Sequence, residues 1–445
     1  MGTTTETIYA LSSGAGLAGV SVVRISGPHA DALLTALGVS PLPDARYAAL
    51  HKLGGDGSVI DQALVLRFPA PGSFTGEDVA ELHVHGGRAV LSAVFEAISA
   101  TGLARHAEPG DFTRRAFENG KLDLTAAEGL ADLVAAQTDA QRRLALRQYD
   151  GVLADLYEGW RTRLIDLMGY AEAEIDFSDE ELPEGLKTAT EQSIAALNGE
   201  IAQHIVGADR GELIRSGFPI VILGAPNVGK SSIINHIAKR DVAIISEVAG
   251  TTRDVIEVQL NLGGFAVTVS DTAGIREASD DIEAEGVRRA EQRAADAALR
   301  LVVLDATDAT LPARVRAQIT DETIVVANKA DLLNGKYSPP DLPAGTVPIL
   351  VSAETGAGLE DLLARLTDHV RVRLDATEAP LPTRRRHRDA LAEANAALSN
   401  VSEAPYPELA AEDVRVALRA LGRITGRVDI DEILDTVFRD FCIGK

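Results

Sequence analysis

A chain of 445 residues is long enough for about three domains, and a hydrophobic content of 46% supplies them with cores. The net charge of −23 repels phosphate as a whole and disfavours indiscriminate nucleic-acid binding, so any RNA partner must meet a local basic patch. A single cysteine, Cys442, excludes an internal disulfide and suits a reducing cytosol. No apolar run approaches the roughly 18–20 residues of a membrane span, and the first residues lack the basic-then-apolar order of a secretory signal. A cytoplasmic location with no membrane partner is therefore expected.

Residues 1–120 alternate short apolar runs with Gly/Pro turns: Val20–Ile25, Gln62–Phe68 and Val79–Val84 read as strands and Ala89–Ala100 as a helix, an α+β segment. Gly14, Gly16 and Gly19 match the dinucleotide fingerprint by letters, but a strand follows where that fingerprint must open a helix, so it is rejected. His83 and His85 face one side of a strand; with no third ligand near, a hydrogen-bonding role is expected rather than a metal pair. Thr125-Ala-Ala-Glu128 is a capping-box signature opening an Ala/Leu-rich amphipathic helix. Helical patterning continues, with a break near Leu182-Pro183-Glu184-Gly185, to about Val206. Residues 216–373 alternate strand and helix. Beyond Asp375 helices return, and in the last one Ile430, Ile433, Leu434, Val437, Phe438 and Phe441 form a continuous apolar stripe.

That order implies insertion, since the tail helices need an apolar partner and the helices before residue 210 match them in composition. The expected fold is multidomain. An α+β N-terminal domain covers 1–120, and an all-α helical-bundle domain is split between 121–215 and 374–445. An α/β P-loop G domain, 216–373, is inserted between those halves. Two basic groups, Arg384, Arg385, Arg386 and Arg388, and Arg142, Arg143 and Arg147, read equally as RNA-facing patches or as solvated helix faces.

Residues 220–231 run from an apolar strand into G-x-x-x-x-G-K-[ST], met by Gly224, Gly229, Lys230 and Ser231. In such a loop backbone N–H groups wrap the phosphates, the lysine reaches the β and γ oxygens, and the serine hydroxyl ligates Mg2+. The following helix, Ser232–Lys239, aims its positive end at the same anion. The strand Val267–Ser270 ends in Asp271-Thr272-Ala273-Gly274, where Asp271 can hold Mg2+ through water and the Gly274 amide can meet the γ-phosphate. Asn328-Lys329-Ala330-Asp331 follows another strand; the Asp331 carboxylate can accept from guanine N1–H and N2–H2, a donor pair adenine lacks. Ser352-Ala353, after Val347–Val351, is where a backbone amide would read guanine O6. Four such motifs in this order on α/β strand ends specify a GTP-binding domain. The expected nucleotide contacts are Asn227, Val228, Gly229, Lys230, Ser231, Ser232, Ser246, Glu247, Val248, Ala249, Gly250, Thr251, Thr252, Asp271, Thr272, Ala273, Gly274, Asn328, Lys329, Asp331, Ser352, Ala353 and Glu354, with Ser231 and Thr252 on Mg2+.

Hydrolysis needs an unusual solution. Ras-type GTPases place a glutamine right after Asp-x-x-Gly to orient the attacking water, but here that position is Ile275. Pro226 replaces a loop glycine and crowds any arginine supplied from outside. Among Glu277, Asp280, Asp281 and Glu283 in the acidic loop beyond Gly274, Glu283 is the chosen water-positioner. Asn227 either joins backbone carbonyls of Ser246–Thr251 around a monovalent cation, which would stabilise developing phosphate charge, or merely shapes its loop. Cys442 sits where the helix dipole and the chain's carboxylate should raise its pKa; a packed apolar residue and a nucleophile both remain open.

Gly-x-Pro-Asn-Val-Gly-Lys-Ser at 224–231, Ala249-Gly-Thr-Thr-Arg-Asp254 and Asp271-Thr-Ala-Gly-Ile-Arg276 resemble the translation-associated GTPases, ribosome-assembly members included. Phe74-Thr-Gly-Glu-Asp78, Glu81-Leu-His-Val-His-Gly-Gly87, Asn119-Gly-Lys-Leu-Asp123 and Phe441-Cys-Ile-Gly-Lys445 narrow the match. Over essentially its whole length the chain resembles the tRNA uridine-5-carboxymethylaminomethyl modification GTPases, the MnmE/TrmE family. The resemblance implies a cytoplasmic homodimer, formed through the N-terminal domain, that joins an FAD-dependent partner of the MnmG/GidA family in a heterotetramer. Together they add a carboxymethylaminomethyl or aminomethyl group at C5 of the wobble uridine of certain tRNAs.

The one-carbon unit would come from 5-formyl- or 5,10-methylene-tetrahydrofolate, with Arg24, Glu81, Lys121 and Lys445 at the family's folate-binding positions. The resemblance also implies K+-dependent GTP hydrolysis, with K+ at Asn227, Ser246, Val248 and Thr251, Glu283 orienting water beside Lys230, and a role for Cys442 in the modification chemistry. The alternative, from another class, is a regulatory ribosome-assembly GTPase without covalent RNA chemistry. Against it, no basic RNA-binding domain follows the G domain, and the terminal Cys-Ile-Gly-Lys would be purposeless.

Overall fold

The computed structural model describes residues 6–55, 58–176, 186–240, 242–244, 257–271, 297–335, 337–374, 379–428, 434, 437–439, 441 and 444. The chain divides into two compact units. One comprises Met1–Ala131, Gln148–Glu191 and Ala396–Lys445, the other Asp132–Arg147 and Gln192–Asn395. Each is built around its own six-stranded sheet.

The first unit contains β1 (Thr7–Leu11), β2 (Ser21–Ser26), β3 (Ala49–Gly55), β4 (Ser58–Phe68), β5 (Val79–Val84) and β6 (Ala104–His106), in the order β3-β4-β5-β2-β1-β6. All neighbours are antiparallel except β1 and β6. β4 begins four residues earlier than its apolar run suggests, because residues 58–61 pair back onto β3 in a hairpin whose ladder, not its hydrophobicity, defines the strand. Period-two alternation gives each strand two faces. Val23, Ile25, Ala63, Val65, Leu82 and Val84 face a core completed by Leu33 and Leu34 of the helix Ala30–Ala36 and Val94 and Ile98 of Arg88–Ala100. Ile8 and Ala10 face the other way, toward Phe112, Ala107 and Phe74.

The helix at 124 starts differently from the capping-box reading. It spans Leu124–Ala135, and its cap is Asp123, whose Oδ1 accepts from the N–H groups of Thr125 at 2.7 Å and Ala126 at 3.2 Å. Thr125 and Glu128 lie buried inside the helix instead. Asp123 wins because its carboxylate satisfies two first-turn donors and suits the positive helix end. Further along, Val152–Asp176 packs against Pro407–Thr425. The terminal apolar stripe reaches a partner within the same unit: Leu434, Phe438 and Phe441 cluster with Leu124 and Ala127. Ile430, Ile433 and the break at 182–185 lie outside the described residues.

The second unit contains β7 (Phe218–Leu223), β8 (Glu257–Leu262), β9 (Phe265–Asp271), β10 (Leu299–Asp305), β11 (Thr323–Asn328) and β12 (Ile349–Leu350), in the order β12-β11-β10-β7-β9-β8. Only the β8–β9 pair is antiparallel. The central strands are apolar on both faces, as a covered parallel sheet requires: Ile220 and Ile222 join one core, Val221 and Leu223 the other. Among the described residues, no helix is long and apolar enough to cross a membrane.

The suspected basic patches are largely neutralised within this unit. Arg384 pairs with Asp132 at 2.8 Å, and Arg388 with Asp209 at 2.6 Å and Glu212 at 3.4 Å. Arg385 lies 3.5 Å from Asp389, and Arg142 and Arg143 share Asp139 at 2.7 and 3.3 Å. The ion-paired helix face is therefore the better reading of these arginines.

His204, on the helix Leu186–Val206, is pushed down to about 4 by burial, with the charge of His387 adding to the effect. A histidine that is harder to protonate folded than unfolded supports the fold fully above its unfolded value near 6.5 and withdraws that support as pH falls toward 4. We predict that the second unit loses about 2 kcal/mol between pH 7 and pH 5 through this residue. Urea unfolding at the two pH values checks it, and His204→Gln should flatten the difference.

Candidate functional site

Parallel strands end at one edge of the second sheet, and the loops leaving those ends form the site, as open α/β sheets dictate. β7 delivers the loop Gly224–Gly229, and the helix Lys230–Ala238 follows it directly. Gly224 (φ 147°) and Gly229 (φ 95°) hold conformations closed to other residues, and space forbids a side chain as well. A Cβ at Gly224 would lie 2.3 Å from the Val303 carbonyl oxygen, and one at Gly229 2.2 Å from Asn328 Nδ2. With glycine at the N-cap, no side chain competes for the helix's first N–H groups, which suit an anion.

Lys230 is buried, and its ammonium donates to the carbonyls of Gly224 at 3.0 Å and Ala225 at 2.9 Å. Burial pushes its pKa down, against the opposing pull of Asp271. Asp271 ends β9, also buried, and accepts from the Ser231 hydroxyl at 2.7 Å. Two oxygen groups are thus joined at the loop's end, a donor set suited to a hard divalent cation such as Mg2+. Asn227 is exposed and holds a left-handed backbone (φ 63°), while Val228 is buried and Ser232 exposed.

The Asn-Lys-x-Asp and Ser-Ala segments converge on the same edge. Asn328 ends β11 with its carboxamide buried: Nδ2 donates to the Val228 carbonyl at 2.9 Å, and Oδ1 accepts from the Ala353 N–H at 3.0 Å. Ser352 donates to Asp331 Oδ1 at 2.5 Å, leaving that exposed carboxylate oriented. Glu354 is exposed beside them.

One participant is absent from the motif reading. Asp305 ends β10 in register with Asn328 of β11, and its Oδ2 accepts from Lys329 Nζ at 2.6 Å. Burial works against this carboxylate, but hydrogen bonds from Lys329 and Thr307 outweigh it and hold its pKa below the usual range. The available signal was its place: an aspartate closing the strand next to the one that carries Asn-Lys-x-Asp.

In the first unit the β1–β2 and β2–β5 registers set Ala10, Arg24 and Glu81 side by side on the sheet face away from the two helices. Arg24 Nε donates to Glu81 Oε1 at 3.0 Å, and His83 lies 3.3 Å from Glu81 Oε2. The Arg24 guanidinium sits 5.5 Å from the Phe74 ring centre and 5.9 Å from that of Phe112. Lys121 runs past Gly76, where a Cβ would lie 3.4 Å from its Cγ. At the end of β1, Ser12 donates to the Gly444 carbonyl at 2.8 Å, which brings Gly444 to this sheet. His85 bonds Asp61 at 2.8 Å, and no group of three metal-ligating side chains exists among the described residues. Ser246, Glu247, Val248, Ala249, Gly250, Thr251, Thr252, Thr272, Ala273, Gly274, Glu283, Cys442 and Lys445 lie outside the described residues.

Comparison with known proteins decides the family. The family model described as "MnmE helical domain" matches residues 124–442, and "GTP-binding protein TrmE N-terminus" matches residues 7–121. A curated tRNA modification GTPase MnmE from Rhodospirillum rubrum is 52% identical over 457 residues, covering 99% of this chain and 100% of the relative. One from Paramagnetospirillum magneticum is 54% identical over 442 residues, with 99% and 100% covered. The chain belongs to the MnmE family of tRNA modification GTPases. It is a multidomain GTPase in which the span of the helical family model encloses the P-loop sheet, as an inserted domain requires. Among solved structures, Aquifex aeolicus Era aligns at 25% identity and a TM-score of 0.26, over 42% of this chain and 69% of that one.

Removing the Asp305 carboxylate should release Lys329. Asp305→Ala is expected to weaken GTP binding about tenfold, the equivalent of one charge-assisted hydrogen bond, while turnover at saturating GTP stays near wild type. Binding titration beside steady-state kinetics separates the two effects.

Proposed function

We propose that this MnmE-family chain is a K+-dependent GTPase that takes part in C5 modification of the tRNA wobble uridine, with a tetrahydrofolate one-carbon donor and an FAD-dependent partner of the MnmG/GidA family. The observation that carries it is one chain holding both a phosphate-binding loop fastened to a guanine-type base loop and, in a second unit, the Arg24–Glu81 pair on a sheet face with Lys121 in a loop beside Gly76.

Supporting the nucleotide half, the Ser231–Asp271 pair suits Mg2+, with Thr252 as the further protein ligand. Lys230 would meet the β and γ oxygens from its buried position, and Asp331, oriented by Ser352, would read the guanine, whereas the Ala353 amide expected to read O6 is taken by the Asn328 carboxamide. Asn227, Ser246, Val248 and Thr251 would hold K+, whose charge supplies what an arginine supplies elsewhere. Glu283 would orient the attacking water that Ile275 cannot, since an alkyl side chain offers no hydrogen bond.

Supporting the modification half, Arg24 lies beside the Phe74 and Phe112 rings and Lys121 beside Gly76, cationic groups and aromatic walls that fit an anionic, planar folate. Gly444, whose carbonyl is held at the end of β1, belongs to the same terminal Cys-Ile-Gly-Lys motif as Cys442 and Lys445, which are proposed to serve the folate site and the modification chemistry. We also assign the domains as α+β folate-binding and dimerising (1–120), helical (121–215 and 374–445) and GTPase (216–373). A homodimer, proposed to be cytoplasmic, is supported as a dimer by the edge strand β3 and its neighbour β4, where Leu50, Leu64 and Val59 are exposed on an otherwise folded sheet.

Hydrolysis in K+ buffer is expected to exceed that in Na+ buffer by more than tenfold, and equal rates would overturn the cation assignment. Glu283→Ala should keep GTP affinity and lose kcat, because it removes an interaction made only in the transition state. Mass analysis of tRNA nucleosides from cells lacking the gene should show C5-unmodified wobble uridines. Retained modification with a ribosome-subunit defect would favour a regulatory ribosome-assembly GTPase instead.

A further inference from the structure

The Phe74-Thr-Gly-Glu-Asp78 segment is so far a family signature without a task. In the first unit, its middle residues are buried anchors rather than ligand-facing groups. Thr75 is fully buried and Arg115, from the helix Asp111–Glu118, nearly so. Arg115 Nη1 donates to Glu77 Oε2 at 2.8 Å, and the Ser26 hydroxyl donates to the same oxygen at 2.7 Å. With its proton given to Glu77, Ser26 accepts from the Thr75 hydroxyl at 2.7 Å, and Thr75 Oγ1 accepts from the Glu77 N–H at 3.3 Å. Each hydroxyl proton and the shared carboxylate oxygen therefore has one consistent assignment. From the opposite side Asn119 Nδ2 donates to the Thr75 carbonyl at 2.7 Å, and Ser73 donates to the Glu77 carbonyl at 2.5 Å.

Two cationic side chains lean on this pinned loop. The Arg24 guanidinium lies over the Phe74 ring, and the Lys121 stem runs beside Gly76. We propose that the buried Arg115–Glu77–Ser26–Thr75 network is a positioning device for the folate site, setting Phe74 and Gly76 as the platform that aims Arg24 and Lys121 at one ligand. This rests on the folate reading above. The physical requirement is preorganisation: long cationic side chains lose rotamer freedom on binding, and a rigid platform removes that cost before the ligand arrives. A buried guanidinium with one carboxylate partner also resists any shift of the loop, because displacement would leave a charge unpaired.

The test uses full-length protein and (6S)-5-formyltetrahydrofolate, with affinity measured by calorimetric titration and GTP turnover recorded on the same preparations. Thr75→Val keeps the side-chain volume and deletes the hydroxyl; it is expected to raise Kd for the folate about tenfold, as loss of a buried hydrogen bond does. Thr75→Ser restores the hydroxyl and should recover most of the affinity, a rescue that simple packing loss would not give. GTP turnover should stay within about twofold throughout. If Thr75→Val does not fold, Ser26→Ala carries the test, since it keeps the Arg115–Glu77 pair and is expected to weaken the folate about threefold. Wild-type binding with unchanged affinity in the variants overturns the positioning device alone. Failure of the wild-type protein to bind the folate overturns the underlying reading, and this inference with it.

Discussion

The buried carboxamide of Asn328 fastens the nucleotide site together. Its amide hydrogen holds the carbonyl of Val228 in the phosphate loop, and its oxygen holds the N–H of Ala353 in the base loop. Each hydrogen bond contributes about 1 kcal/mol net, but loss of the side chain would leave both backbone groups unsatisfied, a larger cost. The constraint propagates. Gly229 must be glycine because Asn328 Nδ2 occupies the place of its Cβ, and the left-handed turn that glycine permits starts the helix at Lys230. The phosphate loop, the Asn-Lys-x-Asp segment and the Ser-Ala segment are thus one connected object, although far apart in sequence.

A chain this acidic uses carboxylates to set the direction of its cations. Asp305 fixes Lys329, Glu81 fixes Arg24, and Glu77 fixes Arg115. The first two pairs sit at strand ends or in a sheet face, where register determines which partners meet, and the third joins a loop to the buried side of a helix, where burial strengthens the attraction. The arginine groups near residues 142 and 388 follow the same habit, with acidic neighbours that leave little free positive field for RNA.

Much of this was legible in the chain itself. The phosphate loop, the Asn-Lys-x-Asp tetrapeptide and the order of flanking domains are local words whose chemistry is set by residue type and spacing. Helix and strand periodicity likewise reports burial directly, so Val79–Val84 and the helix near Arg88 came out in place. The helix cap at Asp123 did not, because a capping box and a single capping carboxylate differ only in how the backbone enters the helix. The start of β4 did not either, since its first residues are strand only through pairing with β3.

By itself, the sequence determined that a triphosphate-binding α/β domain interrupts a helical one, and which family its motifs resemble. Tertiary structure alone decided that Asp305 reaches Lys329, that Thr75 and Glu77 point inward to Ser26 and Arg115, and that Gly444 returns to the end of β1. The reason is physical. Residue type and spacing encode local geometry and burial, whereas these partners lie in different strands and loops and meet only once sheet register has been set by the whole core.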